Sequence, residues 1–317
     1  MRAASSAGTI RPLSPDISGL DRLASRIFCR TLFLEEHPIM TETADTQNPG
    51  RTDASLMTAL YPEMAGKVAV VTGAARGMGA AFAAGLATRG VNVVGADINE
   101  EQMAATADEI NDALAANSLA ETPGRVVGTR IDVTKADEHE ALAQVALKEF
   151  GHIDFWINNA GIFPFALVDE ISPEQIAAVL DVNVEGVLFG AQAASRHMAP
   201  GGAIVNMSSV SALRIRRGRG AYCTSKAAVA HLTESLAVEL GDKGIRVNAI
   251  APGYIDTEMT RWVREDPAAL EHALSVVPLH RLGSPEEVFG PLLFLLSDSA
   301  RYVTGHSIAV DGGSRHV

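Results

Sequence analysis

Residues 67–88 read K-V-A-V-V-T-G-A-A-R-G-M-G-A-A-F-A-A-G-L-A-T, and their reading decides the fold. The first five residues form a short, apolar, β-branched run, as a buried strand does. Residues 80–88 are alanine-rich and suit a helix. Between them stand Gly73, Arg76, Gly77, Met78 and Gly79. Strand, glycine turn and helix in that order are what a dinucleotide-binding α/β fold places at its first crossover. The glycines let backbone approach a pyrophosphate closely, and the helix start offers it free N–H groups and the positive end of its dipole.

Outward from this unit the same alternation continues. Residues 91–96 read as the second strand, ending in Asp97, whose carboxylate can accept hydrogen bonds from ribose hydroxyls and repels a 2′-phosphate. That predicts NAD over NADP. Arg76 in the turn argues the other way, but Ile98 after Asp97 brings no second basic group. Further strands are expected at 125–131, 153–157, 203–205, 244–250 and 307–310, with helices at 99–116, 136–150, 173–198, 221–240 and 284–296. The expected architecture is α/β: one Rossmann-type domain over residues 61–317, a doubly wound parallel sheet of about seven strands flanked by helices. Residues 1–60, rich in proline and polar runs, are expected to be a disordered or weakly ordered extension. Within it 20–33 suits a short helix, and its acids disfavour a transit peptide.

The chemistry centres on residues 208–226, which end in Tyr222-x-x-x-Lys226. Two residues four apart on a helix share a face, with Cβ atoms about 5–6 Å apart. An ammonium that close favours the phenolate, lowering the tyrosine from its ordinary pKa of about 10 toward that of a general base. Ser209 follows the apolar run 203–205 and stands at a strand's carboxyl end, from which its hydroxyl can face the tyrosine. Asn183 sits inside an otherwise apolar helix, where an amide is costly unless hydrogen-bonded. It is read either as a satisfied amide that bends the helix or as a functional group.

Together with Thr72-Gly73-x-x-x-Gly77-x-Gly79, these residues resemble the short-chain dehydrogenase/reductase family over about 250 residues. The resemblance implies that Ser209, Tyr222, Lys226 and Asn183 are catalytic, with Asn183 holding a relay water through its carbonyl. It implies that Asp132 and Val133 meet the adenine; a helix cap is the other reading of Asp132. It further implies that Asn159, Ala160 and Gly161 pass under the adenosine ribose, and that Tyr222 and Lys226 also meet the cofactor. Pro252 and Gly253 would open a turn over the nicotinamide, in which the Ile255 backbone and the Thr257 hydroxyl hold the carboxamide. Residues 256–282 would form a lid whose Met259 and Trp262, with Phe163, line the substrate pocket beside Ser209 and Tyr222. Helices 173–198 and 221–240 would pair between subunits in a homodimer or homotetramer.

Composition sets the limits. The 317 residues carry a net charge of −12, which argues against nucleic-acid or anionic-membrane partners. No apolar run reads as approaching the roughly 20 residues of a membrane span. The two cysteines, Cys29 and Cys223, form neither a disulfide framework nor a metal site and suit a cytoplasmic location. The function expected is NAD-dependent interconversion of a secondary alcohol and a ketone, without a metal. The alternatives are a non-catalytic NAD(H) sensor or scaffold, and an enzyme like the nucleotide-sugar epimerases and dehydratases. Arg214, Arg216, Arg217 and Arg219 crowd the loop before Tyr222, either as solvated or subunit-contact charge or to pair with an anionic group on a substrate.

Overall fold

The structure, a computed structural model, describes residues 61–116 and 120–317; the expectations for residues 1–60 lie outside them. Seven strands alternate with helices. They are β1 (Val68–Thr72), β2 (Asn92–Asp97), β3 (Val126–Arg130), β4 (Phe155–Asn158), β5 (Ala203–Met207), β6 (Arg246–Pro252) and β7 (Ser307–Val310). All pair in parallel, in the order β3-β2-β1-β4-β5-β6-β7. The strand order reverses between β1 and β4, the switch point at which such sheets leave a crevice for a ligand.

The register decides what meets at that crevice. Thr72 lies opposite Ala96, Asn158 opposite Asn206, and Met207 opposite Ile250. The carboxyl ends of β1, β2, β4, β5 and β6 therefore finish along one edge. Strands β1, β4 and β5 are buried along their whole length, which is why they read as continuous apolar runs rather than alternating ones.

The helices are α1 (Gly77–Ala87), α2 (Glu100–Ala116), α3 (Ala136–Phe150), α4 (Pro173–His197), α5 (Gly220–Gly241), α6 (Arg261–Glu265), α7 (Pro267–Ser275) and α8 (Pro285–Leu296). Alanines and glycines in α1 permit close packing: a Cβ at Gly85 would lie 2.6 Å from the ring of Phe289 on α8. Helix α4 starts with a capping box, Ser172 Oγ accepting from Gln175 N while Gln175 Oε1 accepts from Ser172 N. It opens into a π-helical turn at Asp181–Glu185 and closes again at Gly186. By length and composition this helix is apolar enough to cross a membrane, contrary to the expectation that no run approaches that length. Its apolar residues serve another purpose here: Ala191, Ala193 and Ala194 pack into the core around Trp156.

A polar chain runs through that core. Trp156 Nε1 donates to Asn158 Oδ1 at 2.9 Å, Asn158 Nδ2 to Asn206 Oδ1 at 2.9 Å, and Asn206 Nδ2 to Thr233 Oγ1 at 3.0 Å. Asn158 Nδ2 also reaches Val187 O at 3.3 Å, and Thr233 Oγ1 donates to Val229 O at 2.8 Å. One continuous set of bonds thus ties β4 and β5 to α4 and α5. Both asparagines are buried, so removing one leaves its partners without water to replace it. Asn206→Leu is expected to cost about 2–4 kcal/mol of stability, read as a lower denaturation midpoint. An unchanged midpoint would mean that these bonds do not hold the layers together.

Candidate active site

Above the carboxyl edge lies a cleft. Its walls include Met78, Asn159, Gly161, Phe163, Ser209, Tyr222, Lys226, Pro252, Gly253, Ile255, Thr257, Met259 and Trp262. Thirteen residues named from the sequence therefore share one cavity. Gly73, Arg76, Gly77, Gly79, Asp97, Asp132, Val133, Ala160 and Asn183 are not among its lining residues.

The glycine turn is locked to the end of β4 by Thr72 and Asn159. Thr72 Oγ1 accepts from the backbone N–H groups of Asn159 and Ala160, at 3.1 and 3.2 Å. Asn159 Nδ2 donates to the carbonyls of Thr72 and Gly73, each at 3.0 Å. Gly73 and Gly77 have φ of +66° and +57°, a region open to glycine and costly for other residues. A Cβ at Gly79 would fall 2.1 Å from Gly73 O. The loop is drawn too tight for side chains, with the start of α1 directly after it. A Cβ at Gly77 would be 3.8 Å from Thr257 Cβ, so the turn and the lid face one another across the cleft mouth. At the end of β2, Asp97 Oδ2 accepts from Ala75 N at 3.2 Å and Oδ1 from Asn99 N at 3.1 Å, which fixes the carboxylate beside the glycine turn. Positive-φ glycines, a helix start and a carboxylate next to them fit a dinucleotide: pyrophosphate on the helix start, ribose at Asp97.

Asp132 follows β3 and turns back on its own chain. Its Oδ1 accepts from Thr134 N and Thr134 Oγ1, and these bonds hold its carboxyl below the ordinary carboxylate value. The cap position of α3 belongs to Lys135, so the reading of Asp132 as a helix cap is not what is found. Val133 packs against Gly186, where the π-helical turn of α4 ends.

Asn183 is fully buried in that turn. Its Oδ1 accepts from Ile162 N at 2.8 Å, and its Nδ2 donates to Ile162 O at 3.0 Å and Ser225 Oγ at 3.0 Å. The amide is satisfied, and the helix widens around it. What it does is clamp the segment after β4 to α5. Gly161 lies between Asn183 and the lysine: a Cβ there would be 3.2 Å from Asn183 Oδ1 and 3.5 Å from Lys226 Nζ.

Tyr222 and Lys226 stand one turn apart on α5, and the lysine lies within 5.8 Å of the tyrosine ring centre. Lys226 is buried, and its Nζ donates to Met207 O at 2.7 Å. Burial pushes its pKa from 10.5 down to about 8. The tyrosine departs from the expectation of a lysine-lowered phenol. Burial raises Tyr222 above its ordinary value of 10, while the neighbouring Ser209 hydroxyl and the charges of Arg216 and Arg219 pull it down. Lysine and phenol are both driven toward their neutral forms, because the same apolar surroundings penalise either charge. Phe163 supplies part of these surroundings, its ring packed edge-on against Tyr222 at 4.4 Å between centres.

The cleft also holds residues the sequence reading did not assign to it, among them Met207, Ser208, Ser211, Tyr254 and Thr260. Met207 acts through its backbone carbonyl, and Ser208 Oγ donates to Lys226 O; neither role leaves a side-chain signature. Of the four arginines named from the sequence, Arg216 lines the cleft, whereas Arg214 is tied to Ser314 O at 3.0 Å.

Residues 73–315 match the family model described as enoyl-(acyl carrier protein) reductase. The chain is 40% identical over 250 residues to a 3-oxoacyl-(acyl-carrier-protein) reductase of Thermotoga maritima, an alignment covering 78% of this chain and 97% of that one. It is 37% identical to the 3beta-hydroxysteroid dehydrogenase 1 of Eggerthella lenta, over 80% of this chain and 95% of that one. A solved short-chain dehydrogenase/reductase from Serratia marcescens superposes with a TM-score of 0.73 at 32% identity, covering 80% of this chain and 99% of that one. The chain belongs to the short-chain dehydrogenase/reductase family. As such it is an oxidoreductase of a family that uses NAD(P) and acts on small molecules. The relatives' names span acyl-carrier-protein and steroid substrates, so membership carries the chemistry and leaves the substrate open.

The buried lysine gives a test. With its folded pKa near 8 and its ordinary value 10.5, the unfolded chain holds the proton more firmly between those limits. The charged amine therefore costs stability fully below pH 8, and the cost fades as pH rises toward 10.5. Lys226→Met is expected to be the more stable protein at pH 7, by about 1–3 kcal/mol after loss of the bond to Met207 O, with the difference shrinking by pH 10. Melting temperatures of both proteins across that range would check it; a variant less stable at pH 7 would contradict the cost assigned to burial.

Proposed function

We propose that the chain interconverts a secondary alcohol and its ketone, with NAD rather than NADP as the hydride carrier. The observation that carries this reading is that Tyr222 and Ser209 line one cleft with the buried Lys226, which stands one helical turn from the tyrosine. The nicotinamide, when bound, supplies or accepts the hydride. Ser209 holds the substrate oxygen with its hydroxyl. Tyr222, neutral near pH 7, donates a proton to the ketone oxygen in reduction and takes one from the alcohol in oxidation. Lys226, fixed by Met207 O, stands behind the tyrosine and orients the nicotinamide ribose. The backbone carbonyl of Asn183 holds a water that passes protons onward from the lysine, while its side chain maintains the geometry.

The preference for NAD rests on Asp97, whose carboxylate is held beside the glycine turn and repels a 2′-phosphate. Arg76, at the cap position of α1 with an exposed side chain, is the group on the other side of that balance. The proposed assembly is a homodimer or homotetramer formed through α4 and α5, where Ile176 and Val238 are exposed. A cytoplasmic location is part of the same proposal, resting on the sparse cysteine content.

Two measurements test it. Because burial raises the tyrosine, kcat/KM for reduction is expected to stay high through neutral pH and fall in the alkaline range, while that for oxidation rises with pH. Tyr222→Phe should cost about 10²–10⁴-fold in turnover, the usual contribution of a general acid, with NAD binding retained; activity within a few-fold of the parent would remove Tyr222 from the reaction. In the second, the ratio of kcat/KM for NAD to that for NADP is expected to favour NAD at least about tenfold and to move toward parity in Asp97→Ala. A ratio that does not move would detach Asp97 from cofactor choice.

A further inference from the structure

Four arginines precede α5, and the structure puts three of them to different uses. Arg214 donates to Ser314 O. Arg219 donates to Phe163 O at 2.7 Å, with its guanidinium 3.8 Å from the Phe163 ring centre and further rings, Phe165 and Trp262, at 5.2 and 5.7 Å. Both are thereby occupied as structural cations. Arg216 differs. Its guanidinium lies 4.1 Å over the ring of Tyr254, and the residue lines the same cleft as Ser209 and Tyr222. Its side chain makes no hydrogen bond or ion pair with any described residue.

Stacking covers one flat face of a guanidinium and leaves its edge, where the N–H donors point, open. A half-buried arginine normally places those donors on a carboxylate or a row of carbonyls. Here the chain carries 38 acidic residues, yet none of the described ones meets Arg216. Tyr254 fixes the orientation of the side chain, so less freedom is lost when an anion arrives. Its neighbours across the cleft include Ser211, Met259 and Trp262, a surface that suits a compact, partly apolar molecule with a charged end.

We propose that Arg216 is an anion subsite of the active cleft, and that the substrate is a hydroxy acid or keto acid whose carboxylate pairs with the guanidinium edge while its carbinol oxygen meets Ser209 and Tyr222. The proposal deepens the alcohol–ketone reading and rests on it for the reacting group. Its consequence for specificity is that the matching ester or amide is a poor ligand, because it leaves the guanidinium donors unpaired. The charge of Arg216 also bears on Tyr222 and lowers its pKa, so an arriving carboxylate that neutralises the arginine raises the phenol further.

Two arms test this on the full chain. In the first, calorimetry with NADH present measures 2-naphthoate against 2-naphthamide, a pair differing in charge at one end. Naphthoate is expected to bind the parent protein about 10- to 100-fold more tightly, the range of a charge-assisted hydrogen-bonded pair. That advantage should vanish in Arg216→Gln and persist in Arg217→Gln, which removes the same charge from an exposed neighbour. Equal binding of the two probes to the parent, or an equal loss in both variants, would overturn the subsite. In the second arm, kcat/KM is measured for a panel of hydroxy acids and their methyl esters. The acids should lead at least about tenfold, and Arg216→Gln should abolish that lead, chiefly by raising KM for the acids. Selective naphthoate binding without turnover of any alcohol would sink the proposed reaction and leave the subsite standing; turnover of esters as readily as acids would do the reverse.

Discussion

The hydrogen bond between Asn158 and Asn206 is the interaction on which the rest depends. It crosses from β4 to β5 near the point where both strands give way to loops that border the cleft, and it is continued by Trp156 on one side and Thr233 on the other. A core made only of valine and alanine would let β4, β5 and α5 slide by small amounts at little cost. Amides that have no water to fall back on forbid such sliding. Ser209 lies three residues beyond Asn206, Asn159 one beyond Asn158, and Tyr222 and Lys226 lie on the helix that carries Thr233. The relative placement of serine, tyrosine, lysine and glycine turn is thus inherited from a buried polar chain that touches none of the reacting groups.

The electrostatics of the cleft contrast with those of the molecule. A chain of net charge −12 gathers Lys226, Arg216 and Arg219 around one phenol. Lys226 is held by a carbonyl, Arg219 by a carbonyl and aromatic rings, and Arg216 by a ring alone. None is neutralised by a carboxylate among the described residues. The positive potential is therefore kept around the Tyr222 phenol, and burial opposes it there so that the phenol keeps its proton.

Much of this was legible in the sequence for identifiable reasons. The glycine turn could be read because positive φ and close approach admit few residues, as Gly73 and Gly79 show, and Tyr222 with Lys226 because helical spacing alone puts them on one face. The parallel sheet followed from apolar runs alternating with helical segments. The tyrosine's pKa was misjudged because proximity to a charge can be counted along a sequence, whereas the burial that outweighs it comes from Phe163 and the strand ends. The membrane-length apolar run in α4 was passed over because Asp181, Asn183 and Glu185 interrupt it to the eye. Nothing in the sequence separates Arg214 from Arg216: one meets a carbonyl a hundred residues away, the other a tyrosine ring beyond β6, and neither partner is near in sequence. Met207 and Thr72 work through backbone contacts, a carbonyl in one case and two N–H groups in the other, that composition does not record.

The π-helical turn at Asp181–Glu185 has a geometric consequence beyond housing Asn183. A wide turn amounts to one extra residue in the helix, and each residue of an α-helix advances the face by about 100°. Helix α4 therefore has two phases. Before the turn its orientation is set by α5 and the loop after β4; after it, Val187 and Gly190 are brought round to Asn158, where Gly190 has no room for even a methyl group. A helix of uniform pitch could satisfy the asparagine clamp or the buried amide chain, but not both. The extra residue works as a phase shifter, letting a single rigid rod answer to two neighbours that ask for different angles.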